Sequence, residues 1–161
     1  MTQVGGNTRT FPMRLAVRLF LCLVWLLVLA APGTARDRPD GPLRDFAIAL
    51  GLRDVDAFVE TVVSLRRDGR LPARYMTKAE AARAGWRPGD DLCRIAPGRV
   101  IGGDRFGNRE RRLPVANGRV WREADLDFTC GRRGARRLVW SNDRLIFVTV
   151  DHYRTFHEVP E

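Results

Sequence analysis

An α+β fold is predicted by the order in which two periodicities occur along the chain, with N-terminal helices packed on one face of a C-terminal antiparallel sheet of about five strands. Three observations carry this. From Asp54 to about Arg67 the apolar residues Val55, Phe58, Val59, Val62, Val63 and Leu65 recur at helical spacing. Thr77-Lys78-Ala79-Glu80 has capping-box form. After Trp86, glycine and proline punctuate short runs rich in β-branched and aromatic residues, and no helical period is sustained.

The first 35 residues read as a segment apart. Arg9, Arg14 and Arg18 precede an apolar run of 13 residues, Leu19 to Ala31, and Pro32-Gly33-Thr34-Ala35 then puts small residues before Arg36. Basic, apolar, small is the order of a secretory signal peptide. A membrane-spanning helix is the competing reading, but spanning takes roughly 20 apolar residues, and this run meets Pro32 first. Residues 36–53 follow as a flexible or weakly helical lead-in, with Phe46, Ile48, Ala49, Leu50 and Leu52 able to form a short helix ending near Gly51. Residues 54–161 form the folded domain.

Within that domain Asp54 is placed to cap the first helix, and Gly69 ends it. The capping box opens a helix from Lys78 to Ala84, followed by Gly85 as the left-handed residue. Lys78, the one lysine beside 27 arginines, is out of place there. A cation in a first turn opposes the positive end of the helix dipole by about 0.3–1 kcal/mol. A solvated surface charge is the bland account, and a phosphate contact is the functional one.

The expected strands are Val100–Phe106, Arg119–Thr129, Arg136–Ser141, Arg144–Asp151 and Tyr153–Val159, with Ser141-Asn142-Asp143-Arg144 turning between the third and fourth. Alternation along the second puts Val120, Ala124, Leu126 and Phe128 on one face, interrupted by Arg122, and Trp121, Glu123 and Asp125 on the other. Glu123 is therefore expected to point away from the core, into an open groove. His152 and His157 differ in parity, so a regular last strand cannot turn both toward it.

Removing residues 1–35 takes away three arginines and no acid, leaving 25 basic and 19 acidic residues, a net charge of +6. A small basic exported protein suits a polyanionic target. Cys93 and Cys130 remain, an even count that reads as a disulfide in an oxidising compartment. No Cys/His pattern has metal-ligand spacing, and no cofactor or metal is expected.

The chemistry concentrates near the C-terminus. Glu123, the guanidiniums of Arg132, Arg133, Arg136 and Arg137, and His152 fall within about thirty residues, which supplies a base, an acid and fixed cations for phosphodiester cleavage. Taken singly, Glu123 and His152 would be an ordinary strand carboxylate and a structural histidine.

The blocks Leu71–Lys78, Ala96-Pro97-Gly98, Ile101–Glu110, Leu113-Pro114, Trp121–Asp125 and Asp151–Phe156 together resemble barnase-like secreted bacterial ribonucleases, in the family's order from about Leu71 to Phe156. Before Leu71 the resemblance is mainly the presence of a helix. It implies a metal-independent endoribonuclease that cleaves single-stranded RNA preferentially after guanosine, making a 2′,3′-cyclic phosphate that is then hydrolysed. Glu123 matches the general base and His152 the general acid. Free carboxyl and imidazole groups titrate near about 4.3 and about 6.5, which suits that division.

Lys78, Arg133 and Arg137 match the phosphate-binding positions. Phe106, Gly107, Asn108, Arg109 and Glu110 match the guanine-reading loop, with Glu110 accepting from the base's N1–H and amine. Arg109 and Tyr153 match contacts to base and phosphate, and Asp104 a carboxylate that organises the site from behind. Gly107 and Arg132 depart from the family pattern, where a serine and an aromatic residue stand. Arg111, Arg112 and Arg136 read as a basic rim, and His157 as a surface histidine. Trp86, Trp121 and Trp140 read as packing residues, and Asp90 and Asp91 as solvated charges.

The resemblance also implies secretion, a monomer without membrane association once the signal is removed, and a partner: an acidic, intracellular, barstar-like inhibitor. The alternative is a non-catalytic nucleic-acid-binding or toxin-like interaction domain of the same fold.

Overall fold

The computed structural model describes residues 40–161; the expected signal peptide lies outside the described residues. Four helices and six strands follow in the order α1 (Gly41–Ala49), α2 (Val55–Asp68), β1 (Tyr75–Met76), α3 (Lys78–Arg83), α4 (Leu92–Ile95), β2 (Val100–Phe106), β3 (Trp121–Asp125), β4 (Arg137–Ser141), β5 (Ile146–Thr149) and β6 (His157–Glu158). The strands form one sheet in sequential order. Every pairing is antiparallel except the parallel contact of β1 with β2. The α+β expectation holds, with one strand more than expected.

Helix α1 lies where a flexible or weakly helical lead-in was expected. Its Leu43 and Ala47 are buried in the main core, and Phe46 stacks on Phe58 of α2 with ring centroids 6.0 Å apart. The segment is thus anchored from Gly41 onward by apolar burial. Asp54 caps α2 by accepting from the Ala57 amide at 3.0 Å, and Gly69 ends it with φ of 66°. The capping box of α3 forms in full: the Thr77 hydroxyl accepts from the Glu80 amide, and the Glu80 carboxylate from the Thr77 amide.

The sheet separates two apolar layers. Ala124, Leu126, Leu138, Trp140, Ile146 and Val148 face α1 and α2 in the main core. On the other face Leu113, Trp121, Val139 and Phe147 form a second cluster, edged by Phe106, Tyr153 and Phe156. Trp86 belongs to a third cluster with Met76, Ala81, Leu92 and Ile101, so Trp86, Trp121 and Trp140 pack as expected.

Two departures from regular strands shape the site. The register slips between Gly102 and Asp104 where β2 pairs with β3, and a bulge of this kind re-aims the following side chain. Gly102 is required there, because a Cβ would meet Tyr75 Cδ1 at 2.6 Å and Ala124 Cβ at 2.8 Å. The last expected strand, Tyr153–Val159, shrinks to His157–Glu158 because His152 and Tyr153 hold φ of 60° and 70°, values that no strand accommodates.

Candidate active site

Glu123 sits at the centre of β3 on the face away from α2, as alternation requires, but its side chain is not in an open groove. The second apolar cluster walls that face, and Glu123 is 7% exposed. Two donors occupy its oxygens: Lys78 Nζ meets Oε1 at 2.8 Å, and the Tyr153 hydroxyl meets Oε2 at 2.6 Å. Burial alone would raise this carboxyl; the two hydrogen bonds, with the charges of Lys78 and Arg137, outweigh it and hold the group below its usual value. Glu123 is a carboxylate at neutral pH.

The misplaced cation of the sequence is thereby explained. Lys78 opens α3, and its backbone amide donates to Asp104 Oδ2 at 3.0 Å, so Asp104 satisfies the helix N-terminus from the bulged strand. The side chain, 42% exposed, reaches from that turn to Glu123.

Asp125, two residues beyond Glu123 and on the same face, is 2% exposed and was given no role by the sequence. It anchors both arginines of interest. Arg133 binds it in a fork, Nε to Oδ2 and Nη2 to Oδ1, each at 2.6 Å. Arg137 Nε lies 2.9 Å from Oδ1, an ion pair that lacks the alignment of a hydrogen bond. Arg137 Nη1 donates to the carbonyls of Gly134 and Arg136. Burial opposes the Arg133 cation, and Asp125 more than restores it. Arg136 turns away, 3.3 Å from Asp127.

Beyond β3 the chain is tied to α4 twice. Cys130 forms the expected disulfide with Cys93. Asp91, far from being a merely solvated charge, accepts from the amides of Cys93 at 3.0 Å and Gly131 at 2.8 Å. Among the described residues, Asp91, Cys93 and Cys130 form the one cluster with metal-binding proximity, and its sulfurs are already consumed by the disulfide.

His152 is exposed on the turn after β5. Its backbone amide donates to the Ala135 carbonyl at 3.3 Å, stitching it to the arginine loop. Asp151 holds the turn, accepting from the amides of Arg154 and Thr155 and the hydroxyls of Thr155 and Thr149. These bonds, the Thr155 amide first, lower its carboxyl to about 2.

Tyr153 joins the parts. Its ring centroid lies 5.0 Å from that of His152 and 5.2 Å from that of Phe106, on which it stacks. Burial, then the hydrogen bond to Glu123, pushes its hydroxyl up to about 12, so it remains a donor. Glu123 and His152 therefore both contact one tyrosine, on one side of the protein.

Beside it the loop Phe106–Glu110 lines a cleft of about 490 Å³ with Tyr153 and Phe156. Asn108 turns inward: its amide donates to the Leu113 carbonyl at 2.8 Å and accepts from the Leu113 amide at 3.0 Å. It fastens the loop from φ of 40°. Gly107 and Arg109 are exposed, and Glu110 is held by Arg112 at 2.6 Å. Of the three expected rim arginines, Arg111 has no acidic partner among the described residues, whereas Arg112 and Arg136 are ion-paired. His157 lies exposed on β6, as expected.

Comparison with known proteins points the same way. The ribonuclease family model matches residues 60–160. A ribonuclease of Heyndrickxia coagulans is 52% identical over 96 residues, 59% of this chain and 88% of that protein. Ribonucleases of Bacillus intermedius and Bacillus pumilus are 52% identical over 96 residues, and the matched part spans 59% of the length of each.

Proposed function

The chain belongs to the barnase-like bacterial ribonucleases, a family of RNA-cleaving enzymes, and on that premise we propose that it is a secreted, metal-independent endoribonuclease that cleaves single-stranded RNA preferentially after guanosine. The observation that carries the reading is the placement of a buried carboxylate and an exposed imidazole against one tyrosine, with Lys78, Arg133 and Arg137 around them.

Glu123 takes the proton from the ribose 2′-hydroxyl as that oxygen attacks phosphorus, and His152 protonates the departing 5′-oxygen. A 2′,3′-cyclic phosphate forms, and water reverses the two roles to open it. The Glu123–Lys78 pair gives the first step a specific advantage. Once Glu123 is protonated it no longer attracts Lys78 fully, and the ammonium is freed for the charge gathering on the phosphoryl oxygens. Tyr153 stays protonated throughout and keeps the Glu123 carboxyl oriented. Arg133 and Arg137, immobilised on Asp125, stabilise the phosphoryl charge without being reorganised. DNA lacks the internal nucleophile, so it binds without being cut.

For the base, the reading assigns the cleft of Phe106–Glu110. Backbone amides of this loop meet O6 and N7 of guanine, Glu110 accepts from N1–H and the exocyclic amine, and Arg109 and Tyr153 flank base and phosphate. Glu110 must release part of its hold on Arg112 to do so. The Cys93–Cys130 disulfide supports an oxidising, extracytoplasmic setting. The basic site suits an acidic intracellular inhibitor, whose approach the guanidiniums would steer.

Incubating the protein with an RNA of defined sequence, with and without EDTA, and mapping the ends tests this directly. Cuts 3′ to guanosine with cyclic phosphate ends in both samples are expected; RNA that is shifted in a gel but never cut is the result of a non-catalytic binder.

A further inference from the structure

Resting on the reading of the chain as an RNA-cleaving enzyme, we infer that a second basic surface, on the helix-facing side of the sheet, binds a phosphodiester segment of the same RNA beyond the scissile bond. The cross-strand register builds it. Arg105 of β2 pairs with Arg122 of β3, Arg122 with Trp140 of β4, and Trp140 with Ile146 of β5. Directly paired residues share a face, so these four form one row across the sheet, about 14 Å long at strand spacings of about 4.8 Å.

Rows nearer the middle of the sheet are covered by α1 and α2, but α2 stops at Gly69. Arg122, Trp140 and Ile146 of the row lie past that end and floor a cleft of about 500 Å³, bordered by Leu65, Arg66, Arg67, Asp68 and Arg144, while Arg105 lines the neighbouring cleft of the Phe106–Glu110 loop.

The charges of this cleft and of Arg105 beside it are not explained by the fold. Arg66 and Arg67 suit the negative end of α2, and they are engaged by the Pro160 carbonyl and Asp68. Arg105, Arg122 and Arg144 have no acidic partner among the described residues; Arg122 donates to the Gly103 carbonyl at 2.7 Å. Two like charges directly opposite each other across antiparallel strands destabilise a sheet, and Arg105 and Arg122 are such a pair. Arg144 adds a third cation from a turn where it holds φ of 76°.

A polyanion relieves all three. The row also has a direction: Arg105 immediately precedes Phe106, the first residue of the base-binding loop, and β1 pairs with β2 only at Val100 and Ile101, so a strand leaving that loop rounds the open sheet edge at Arg105 onto Arg122 and into the cleft on the other face. A single-stranded phosphodiester chain fits this continuity better than an acidic protein does, because the track begins at the substrate site.

The test compares the protein with its Arg122→Ala, Arg144→Ala double variant on two substrates, guanylyl-cytidine and a single-stranded RNA with one guanosine and long uridine extensions on both sides. On the long RNA the KM rises several-fold with kcat unchanged, and the slope of log affinity against log salt falls by about 1.4 for two lost contacts. On the dinucleotide kcat/KM is unchanged. An Arg122→Lys, Arg144→Lys variant, which keeps the charges, retains the long-RNA KM.

An unchanged KM and salt slope on long RNA overturn the inference, as does a parallel loss on the dinucleotide. Loss of polyglutamate binding with RNA binding intact overturns it too, by assigning the cleft to an acidic protein. Anisotropy titrations in a Glu123→Ala background read the long-RNA contact without turnover. Failure of the wild-type protein to cut the dinucleotide would instead count against the proposed function.

Discussion

The Tyr153 hydroxyl donates to Glu123 Oε2 at 2.6 Å, while its ring lies 5.0 Å from that of His152. One side chain therefore orients the carboxylate and backs the imidazole, from a backbone held at positive φ in two successive residues. Conformations of this kind cost on the order of 1–3 kcal/mol each and persist where surrounding contacts impose them; here Asp151, Thr149 and Ala135 do so.

Replacing Tyr153 with Phe removes one of the bonds that keep the Glu123 carboxyl below its usual value. A pH profile of kcat/KM on a guanosine dinucleotide should show its acid limb, set by a carboxyl held below its usual value in the wild type, displaced to higher pH. An unmoved acid limb would separate Tyr153 from the base.

Asp125 is the anchor of the arginines. In an Asp125→Ala variant the guanidiniums of Arg133 and Arg137 remain largely buried with no carboxylate between them. Breaking a buried pair in this way costs about 3–5 kcal/mol, a melting shift on the order of 15 °C for a domain of this size. Calorimetry checks the figure, and kcat should fall as well, because Arg133 loses its orientation.

The disulfide closes a loop spanning 37 positions, for which chain entropy gives about 3–4 kcal/mol. Urea unfolding of a Cys93→Ser, Cys130→Ser protein should show that loss. The tie holds the chain three residues before Arg133, so KM for RNA is expected to rise alongside.

Asp151 has its carboxyl depressed to about 2 from an ordinary 3.8. A depressed group contributes stability above its unfolded value and loses it as pH falls through the folded one. The contribution is therefore present above about pH 4 and disappears toward pH 2. An Asp151→Asn variant should lose stability at neutral pH and show a flatter stability curve between those limits, followed by circular dichroism.

Much of this architecture was legible from the residues. The caps at Asp54 and Thr77, the stop at Gly69 and the bounds of Val100–Phe106 all depend on neighbours within a few positions, where sequence patterns speak directly. Alternation likewise turned Glu123 to the correct face. It could not show that the face is covered, because the cover comes from Leu113, Phe147 and Tyr153, residues distant in sequence. Asp125 shared that parity and was the signal for a second buried carboxylate.

The strand β1 is two residues long and carries no period. The turn at His152 depends on two non-glycine residues in a left-handed conformation, which the hydrogen bonds of Asp151 impose and local propensity opposes. Helix α1 owes its anchoring to Leu43 and Ala47 meeting the core, a tertiary effect that the short segment did not advertise.

Glu123, as the group that takes the proton, holds the proposed mechanism together. Single-turnover cleavage of a guanosine dinucleotide by Glu123→Ala, measured beside its RNA affinity, addresses that claim. A rate lower by about 10²–10⁴, the usual worth of a positioned base, is expected, with RNA binding retained. Cleavage at the wild-type rate, with cyclic phosphate still formed, would contradict it.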